Sequence, residues 1–129
     1  MLGTELTILL VYGLYTALVL GAKVTGMMAT VDMGYLLSSR DESRTLEGML
    51  GRLDRAINNS VTAMALFAPA VLVIAIRDQS SGASLLAAQV FLVARIVYVP
   101  AYIFGIRGLR TLLWLAGFLA TLILYFQAL

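Results

Sequence analysis

The sequence predicts an all-α membrane protein, a bundle of four transmembrane helices that forms a single integral membrane domain over residues 1–129. Of its 129 residues, 61% are hydrophobic and only 12% are charged, whereas about 25% are charged in an average soluble domain. Four apolar stretches are each long enough to cross a hydrocarbon core about 30 Å thick at about 1.5 Å per residue. We therefore expect the lipid bilayer to surround the chain, with no room left for a separate soluble domain.

The four predicted spans cover residues 6–28, 52–76, 83–104 and 109–128. The first span follows Glu5 and no Lys or Arg, and it is longer than the apolar region of about 7–15 residues in a signal peptide, so we expect it to be retained. Pro69 and Pro100 fall inside spans, where neighbouring helices can satisfy the carbonyl groups that a proline leaves unpaired.

Basic residues are distributed unequally between the two predicted ends of the bundle. The first loop and the last hairpin lie on the same side of the membrane, and the opposite side has only Arg77. Cytoplasmic loops of membrane proteins are enriched in Lys and Arg, so we expect this side to be cytoplasmic and both termini to lie outside the cytoplasm. The basic residues on or near the cytoplasmic side are Lys23, Arg40, Arg44, Arg52, Arg55, Arg107 and Arg110.

The composition restricts the chemistry that the chain can perform. It contains no Cys and no His, which excludes thiolate nucleophiles, disulfides and imidazole bases, and we expect no metal centre. The net charge of +2 and the scattered arginines do not resemble a nucleic-acid-binding patch. Any reaction must therefore use Arg, Tyr, Ser, Thr or carboxylates, or a group that the substrate provides.

Span two opens with a polar face. Arg55 is followed by Asn58, Asn59 and Thr62 at offsets of three, four and seven residues, which places all four side chains on one side of a helix. Amide and guanidinium groups at this depth are unfavourable unless they face protein or water. The pattern is consistent with a binding pocket, and for the asparagines also with hydrogen bonds that only hold helices together.

Span three has a second polar face with the same spacing, formed by Arg95, Tyr98 and Tyr102. Arg95 lies near the middle of the membrane, where a guanidinium costs about 2.5 to 3.5 kcal/mol on insertion scales. The tyrosines alone could form an interfacial belt. Because they share a face with Arg95, we interpret the group as a polar pocket.

The two polar faces are expected to meet in the cytoplasmic half of the bilayer, because span two begins there and span three ends there. Several cations without matching carboxylates indicate an anion-binding site. Asp54 is the one acid nearby; it could pair with the neighbours of Arg55 or cap the start of its helix, and we favour the cap. The residues expected at this site are Arg55, Asn59, Thr62, Tyr98, Tyr102 and Arg110, with Arg95 deepest.

These motifs resemble the signatures of the MAPEG family, the membrane-associated proteins in eicosanoid and glutathione metabolism. Residues 51–60, GRLDRAINNS, with FAP at residues 67–69, resemble the signature of its second span. Residues 95–102, RIVYVPAY, with LRT at residues 109–111, resemble its third span and its catalytic-arginine region. The opening TELT at residues 4–7 is typical of bacterial members.

The resemblance implies a homotrimer of four-helix subunits. For a bacterial member we expect the inner membrane, and the distribution of basic residues then predicts that both termini are periplasmic. The resemblance also implies that glutathione is a cosubstrate, bound between neighbouring subunits within the membrane in a site open to the cytoplasm. Arg110 corresponds to the arginine that stabilises the glutathione thiolate, and we expect it to be the catalytic residue. The residues that the resemblance implies for glutathione binding are Arg55, Asn59, Thr62, Arg95, Tyr98 and Tyr102.

The function that this resemblance implies is a glutathione-dependent transferase or peroxidase that acts on a small lipophilic electrophile. One position departs from the family pattern, which usually has Glu three residues after the asparagine, where this chain has Thr62. A carboxylate there would bind the amino group of the tripeptide. Thr62 therefore supports an alternative, a non-catalytic MAPEG-like membrane scaffold or a small-molecule-binding protein with an altered ligand. A proton-coupled cation exporter is disfavoured, because the spans carry no deep acidic residue.

Overall fold

The computed structural model of the chain describes residues 3–30 and 48–129. These residues form four helices, and each is long and apolar enough to cross a membrane. The predicted four-helix membrane bundle is therefore confirmed. Most of the predicted first loop, including Arg40 and Arg44, lies outside the described residues. The helices are α1, Glu5–Thr30; α2, Gly48–Ile76; α3, Gly82–Ile103; and α4, Arg107–Ala128.

The helix pair α2 and α3 forms the centre of the bundle. Each of these helices packs against the other and against both α1 and α4, whereas no extensive packing joins α1 to α4. The most extensive packing joins α3 to α4, which the short connection over residues 104–106 holds antiparallel. The start of α2, which follows the first loop, therefore lies beside the end of α3 and the start of α4.

The core is a cluster of aromatic side chains surrounded by aliphatic ones. Phe67 of α2 and Phe91 of α3 stack with ring centroids 3.9 Å apart, and Tyr12 of α1 meets Phe91 edge to face at 5.0 Å. All three rings are buried. The hydroxyl of Tyr12 donates to the carbonyl oxygen of Ser60 at 2.8 Å, so the buried polar atom is satisfied.

Pro100 lies inside α3 and is accommodated by a donor from another helix. A proline has no N–H, so the carbonyl oxygen of Ile96, four residues earlier, loses its helical partner. The hydroxyl of Tyr15 on α1 donates to this oxygen at 2.8 Å. The expectation that a neighbouring helix satisfies the freed carbonyl is confirmed for Pro100.

A buried carboxylate joins three elements at the end of the bundle that carries the chain termini. Glu5 is buried at the start of α1 and accepts hydrogen bonds of 2.9 Å from the hydroxyls of Ser80 and Ser84. Ser81 is the N-cap of α3, and it forms a capping box with Ser84. Glu5 therefore ties α1 to the turn between α2 and α3.

Asp54 does not cap a helix, so that prediction is wrong. The helix α2 begins six residues earlier, at Gly48, and the carboxylate of Asp54 instead pairs with Lys23 of α1. At the same end, Arg52 donates to the carbonyl oxygen of Ile103 at 2.9 Å, where α3 ends. Gly105 then turns the chain at φ +73°, a conformation that favours glycine.

Candidate functional site

Arg95 lies inside the bundle rather than at its surface. Only 2% of the residue is exposed, and it is eight residues before the end of α3, about 12 Å along the helix axis at about 1.5 Å per residue. Its Nη2 donates to Asn59 Oδ1 at 2.8 Å and approaches Ser60 Oγ at 3.4 Å. Its Cζ lies 4.2 Å from the centroid of the Tyr98 ring. An amide oxygen, a hydroxyl oxygen and an aromatic face therefore stabilise the buried positive charge.

One nitrogen of the Arg95 guanidinium, Nε, is buried without a hydrogen-bond partner in the described part of the chain. Gly117 on α4 lies against the same side chain, and a Cβ there would stand 3.3 Å from Arg95 Cδ. The glycine thus leaves room for the arginine to cross the bundle from α3 towards α2.

A crevice of about 100 Å³ lies beside Arg95. Its walls come from α2 and α4, and α3 supplies its floor through Phe91 and Arg95. Thr62 and Thr121 line it, and the hydroxyl of each donates to a carbonyl oxygen of its own helix. The lining residues are Asn59, Thr62, Ala63, Leu66, Phe91, Arg95, Trp114, Gly117, Phe118 and Thr121.

A second cluster, closer to the end of the bundle, is organised by Tyr102. Arg55 Nε donates to the hydroxyl of Tyr102 at 3.3 Å, and the guanidinium of Arg110 lies over the ring face, with Cζ 4.7 Å from the centroid. One tyrosine therefore contacts two arginines from different helices through different parts of its side chain. Within residues 3–30 and 48–129, neither arginine forms an ion pair with a carboxylate.

The two clusters are connected through shared side chains. Tyr98 contacts Arg95 through its ring, and its centroid is 5.8 Å from that of Tyr102. Tyr98 also lines a pocket of about 240 Å³ together with Arg110, Thr111 and Trp114. Trp114 lines both this pocket, here called the arginine pocket, and the crevice beside Arg95. Both cavities therefore border on the same tryptophan.

The structure places the residues predicted from the sequence into these two groups. The group closer to the end of the bundle, where α3 ends and α4 begins, contains Arg55, Tyr98, Tyr102 and Arg110. The group farther from that end contains Asn59, Thr62 and Arg95. Asn58 is exposed and lines neither cavity. Asn59 does join two helices, as the packing interpretation predicts, and it also lines the crevice.

Sequence reasoning missed the contribution of α4 beyond Arg110. Trp114, Gly117 and Thr121 follow Arg110 at offsets of four, seven and eleven residues, which is the spacing of one helical face. Ser60, which faces Arg95, was missed for the opposite reason, since it lies off the polar face of span two. The helical spacing of the α4 residues could have identified them, because the same kind of spacing identified the polar faces of spans two and three.

A wholly apolar cavity between α3 and α4 has little capacity for chemistry. It measures about 430 Å³ and is lined by α3 and α4, without Arg95 among its lining residues. Every one of its lining side chains is Ala, Leu, Val or Ile. Such a groove can contact lipid or another apolar surface, but it offers no polar group for catalysis.

Comparison with known proteins gives one match. The model of the MAPEG family matches residues 4–129. No curated protein and no solved structure matches the chain. The match extends over all four helices and includes both arginine clusters. The chain therefore belongs to the MAPEG family.

Proposed function

We propose that the protein is a membrane-embedded, glutathione-dependent transferase or peroxidase that acts on a lipophilic electrophile. Membership of the MAPEG family places it among membrane proteins of a glutathione-related transferase or peroxidase type. The observation that carries the finer proposal is the pair of arginines held by Tyr102. Two cations without a carboxylate partner in the described part of the chain suit an anionic ligand.

Glutathione matches the chemistry that the chain itself lacks. The protein has no Cys and no His, so it cannot supply a thiolate or an imidazole base. Glutathione brings its own thiol, and a nearby guanidinium lowers the pKa of a thiol by favouring the charged form. Its carboxylates can form charge-assisted hydrogen bonds with arginine. In this proposal Arg110 stabilises the thiolate and is the catalytic residue.

The remaining site residues are proposed to bind the tripeptide. Arg55 and Tyr102 lie at the boundary, and Tyr98 lines the arginine pocket with Arg110. Because Arg95 is buried, we propose that it supports the pocket by holding Asn59 and by lying against Tyr98. The full set proposed for glutathione binding is Arg55, Asn59, Thr62, Arg95, Tyr98 and Tyr102.

We propose the assembly that the family resemblance implies and the orientation that the basic residues predict. The subunits would form a homotrimer in a bacterial inner membrane, with the arginine clusters towards the cytoplasm and both termini periplasmic. The exposure of Arg55 in a single subunit supports a site that a neighbouring subunit completes. The distribution of basic residues supports the orientation, since Lys23, Arg52 and Arg107 lie at the same end as Arg55.

A second candidate is a non-catalytic MAPEG-like scaffold or a small-molecule-binding protein with an altered ligand. The observation that favours it is Thr62, whose hydroxyl donates to the carbonyl oxygen of Asn58 within α2. No carboxylate is therefore offered at this position to the amino group of glutathione. The two candidates differ in whether glutathione binds as a thiolate.

Calorimetric titration of the purified, folded protein with glutathione, together with the thiolate absorbance of the bound ligand, tests the proposal. Binding with a lowered thiol pKa supports the enzyme. Binding with an unchanged thiol pKa favours the non-catalytic candidate. Absence of binding by both the wild-type protein and a Thr62→Glu variant, in protein shown to be folded, would defeat the glutathione hypothesis.

A further inference from the structure

Two arginines near the turn between α3 and α4 take part in neither of the two cavities. Of the described basic residues at this end of the bundle, Lys23 pairs with Asp54, and two arginines contact Tyr102. The others are Arg52 and Arg107, which line neither the crevice nor the arginine pocket. Both are exposed, and within residues 3–30 and 48–129 neither forms an ion pair with a carboxylate. The proposed glutathione site therefore does not account for these two cations.

Arg52 extends from α2 to the turn that joins α3 to α4. Its Nη1 donates to the carbonyl oxygen of Ile103 at 2.9 Å, and the same nitrogen lies 3.6 Å from the position that a Cβ on Gly105 would take. These contacts hold the guanidinium against the turn. Arg107 opens α4 two residues after Gly105. The two arginines therefore belong to one small surface.

The depth of this surface follows from the length of the connection. Only residues 104–106 join the end of α3 to the start of α4, and both helices are long and apolar enough to cross a membrane. Three residues extend by about 10 Å at most, and this connection also has to reverse the direction of the chain. The turn therefore cannot project far into water, and both arginines lie at the boundary where the lipid headgroups are.

Apolar side chains flank the two cations. Phe104 is 69% exposed and Ile106 is 47% exposed, and Leu109 is exposed in the first turn of α4. Such side chains are stable beside acyl chains, whereas the long side chain of an arginine can place its charge among the headgroups. We call this set of five residues the hairpin surface: Arg52, Phe104, Ile106, Arg107 and Leu109.

The start of α4 adds to the positive potential of the hairpin surface. No acid lies in the first turn of this helix, and no side chain caps its N-terminus. The partial positive charge of the helix terminus is therefore added to the charge of Arg107 instead of being cancelled. Guanidinium groups bind phosphate through charge-assisted hydrogen bonds with matching geometry. The charge of the surface is thus complementary to a phosphate, and its apolar residues are complementary to hydrocarbon.

We propose that the hairpin surface binds an anionic phospholipid, with the phosphate at Arg52 and Arg107 and the acyl chains against Phe104, Ile106 and Leu109. A lipid supplies both the negative charge and the hydrocarbon that this surface accommodates, whereas a free phosphate supplies only the charge. Neither arginine belongs to the proposed glutathione site. The lipid site therefore does not rest on the proposed function.

A fluorescent label beside Arg107 tests this proposal. The chain has no Cys, and a Cβ added at Gly108 would meet nothing within 4 Å, so Gly108→Cys provides a single labelling position in the first turn of α4. The labelled protein is reconstituted without glutathione in phosphatidylcholine vesicles. Phosphatidylglycerol or phosphatidylcholine that carries a nitroxide on its acyl chain is then added in traces. Each lipid quenches the label according to its occupancy of the hairpin surface.

Phosphatidylglycerol should quench the label more strongly than phosphatidylcholine. An arginine near an anionic membrane surface contributes about fivefold to binding. Arg107→Gln and Arg52→Gln should therefore each reduce the preference for phosphatidylglycerol about fivefold, and Arg107→Lys should retain most of it. Arg52→Gln also removes the hydrogen bond to Ile103, so the exposed Arg107 gives the cleaner variant. Arg77→Gln removes the same charge at the opposite end of the bundle and should leave the preference unchanged.

Equal quenching by the two lipids would overturn the proposal, and so would an unchanged preference in Arg107→Gln or an equal loss in Arg77→Gln. A preference that inorganic phosphate abolishes at constant ionic strength would also overturn it, because a free anion would then occupy the surface. Absence of quenching by either lipid would show that lipid does not reach the hairpin surface. Because no glutathione is present, each of these outcomes is independent of the test of the proposed function.

Discussion

The hydroxyl of Tyr15 donates a hydrogen bond of 2.8 Å to the carbonyl oxygen of Ile96, the carbonyl that Pro100 leaves without its helical donor. The bond joins α1 to α3 one residue after Arg95, so it fixes the backbone that carries the buried guanidinium. In hydrocarbon an unsatisfied carbonyl cannot turn to water, which gives this contact more weight than at a wet surface.

Tyr15→Phe should therefore destabilise the protein by about 1 kcal/mol, because Ile96 O is left without a donor. The free energy of unfolding, measured by detergent titration in mixed micelles, checks this. Tyr125→Phe is a matched control, since no hydrogen bond of the Tyr125 hydroxyl to a described residue is seen. In a Pro100→Ala background, which restores the helical N–H, the cost of Tyr15→Phe should shrink, and equal costs in both backgrounds would contradict the explanation.

Arg110→Ala should leave glutathione binding nearly intact while raising the pKa of the bound thiol by about one to three units, because an adjacent cation is lost. Transfer of the thiol to an apolar electrophile should slow accordingly. Thiolate absorbance as a function of pH, together with calorimetry, measures both effects. Arg107→Ala removes an exposed arginine from the same helical turn and lines neither cavity, so an equal shift in that variant would argue against a specific role for Arg110.

Thr62→Glu should tighten glutathione binding about tenfold, because the new carboxylate can bind the amino group of the tripeptide. Thr62 lines the crevice together with Arg95, so the variant must also be compared with Thr62→Gln, which has similar size and no charge. Calorimetric titration of both variants separates charge from shape. Equal affinities for the two would rule out the carboxylate as the missing element.

The protein should run as a homotrimer in native mass spectrometry from a mild detergent. The physical reason is that Arg55 is exposed in a single subunit. A neighbouring subunit could cover this arginine and complete the anion-binding site. The measurement requires a parallel check that the helices persist. A clean monomer or dimer under those conditions would count against a site shared between subunits.

Both termini should lie outside the cytoplasm, because Lys23, Arg52, Arg55, Arg107 and Arg110 lie at one end of the bundle and Arg77 at the other. A fluorescent protein fused to the C-terminus should stay dark, since it does not mature after export. A fusion at the first loop would serve as the fluorescent reference. Bright fluorescence from the C-terminal fusion would reverse the proposed orientation.

The sequence was sufficient for the number of helices, because the length and hydropathy of a span follow from the thickness of the bilayer alone. The observed α4, Arg107–Ala128, contains the predicted span over residues 109–128. The start of α2 was missed because residues 48–51 precede the predicted span and carry no membrane signal. The interpretation of Asp54 as a helix cap was wrong for the same reason, because the helix begins at Gly48 and Asp54 lies within it.

The sequence also determined that arginines, tyrosines and an asparagine share helical faces, since the period of a helix is fixed. Only the tertiary structure decided which of these residues meet. Tyr102 contacts both Arg55 and Arg110, Arg95 reaches Asn59, and Gly117 makes room for it. These contacts depend on the rotation of each helix about its axis and on the packing of its neighbours, which the pattern along one helix does not specify.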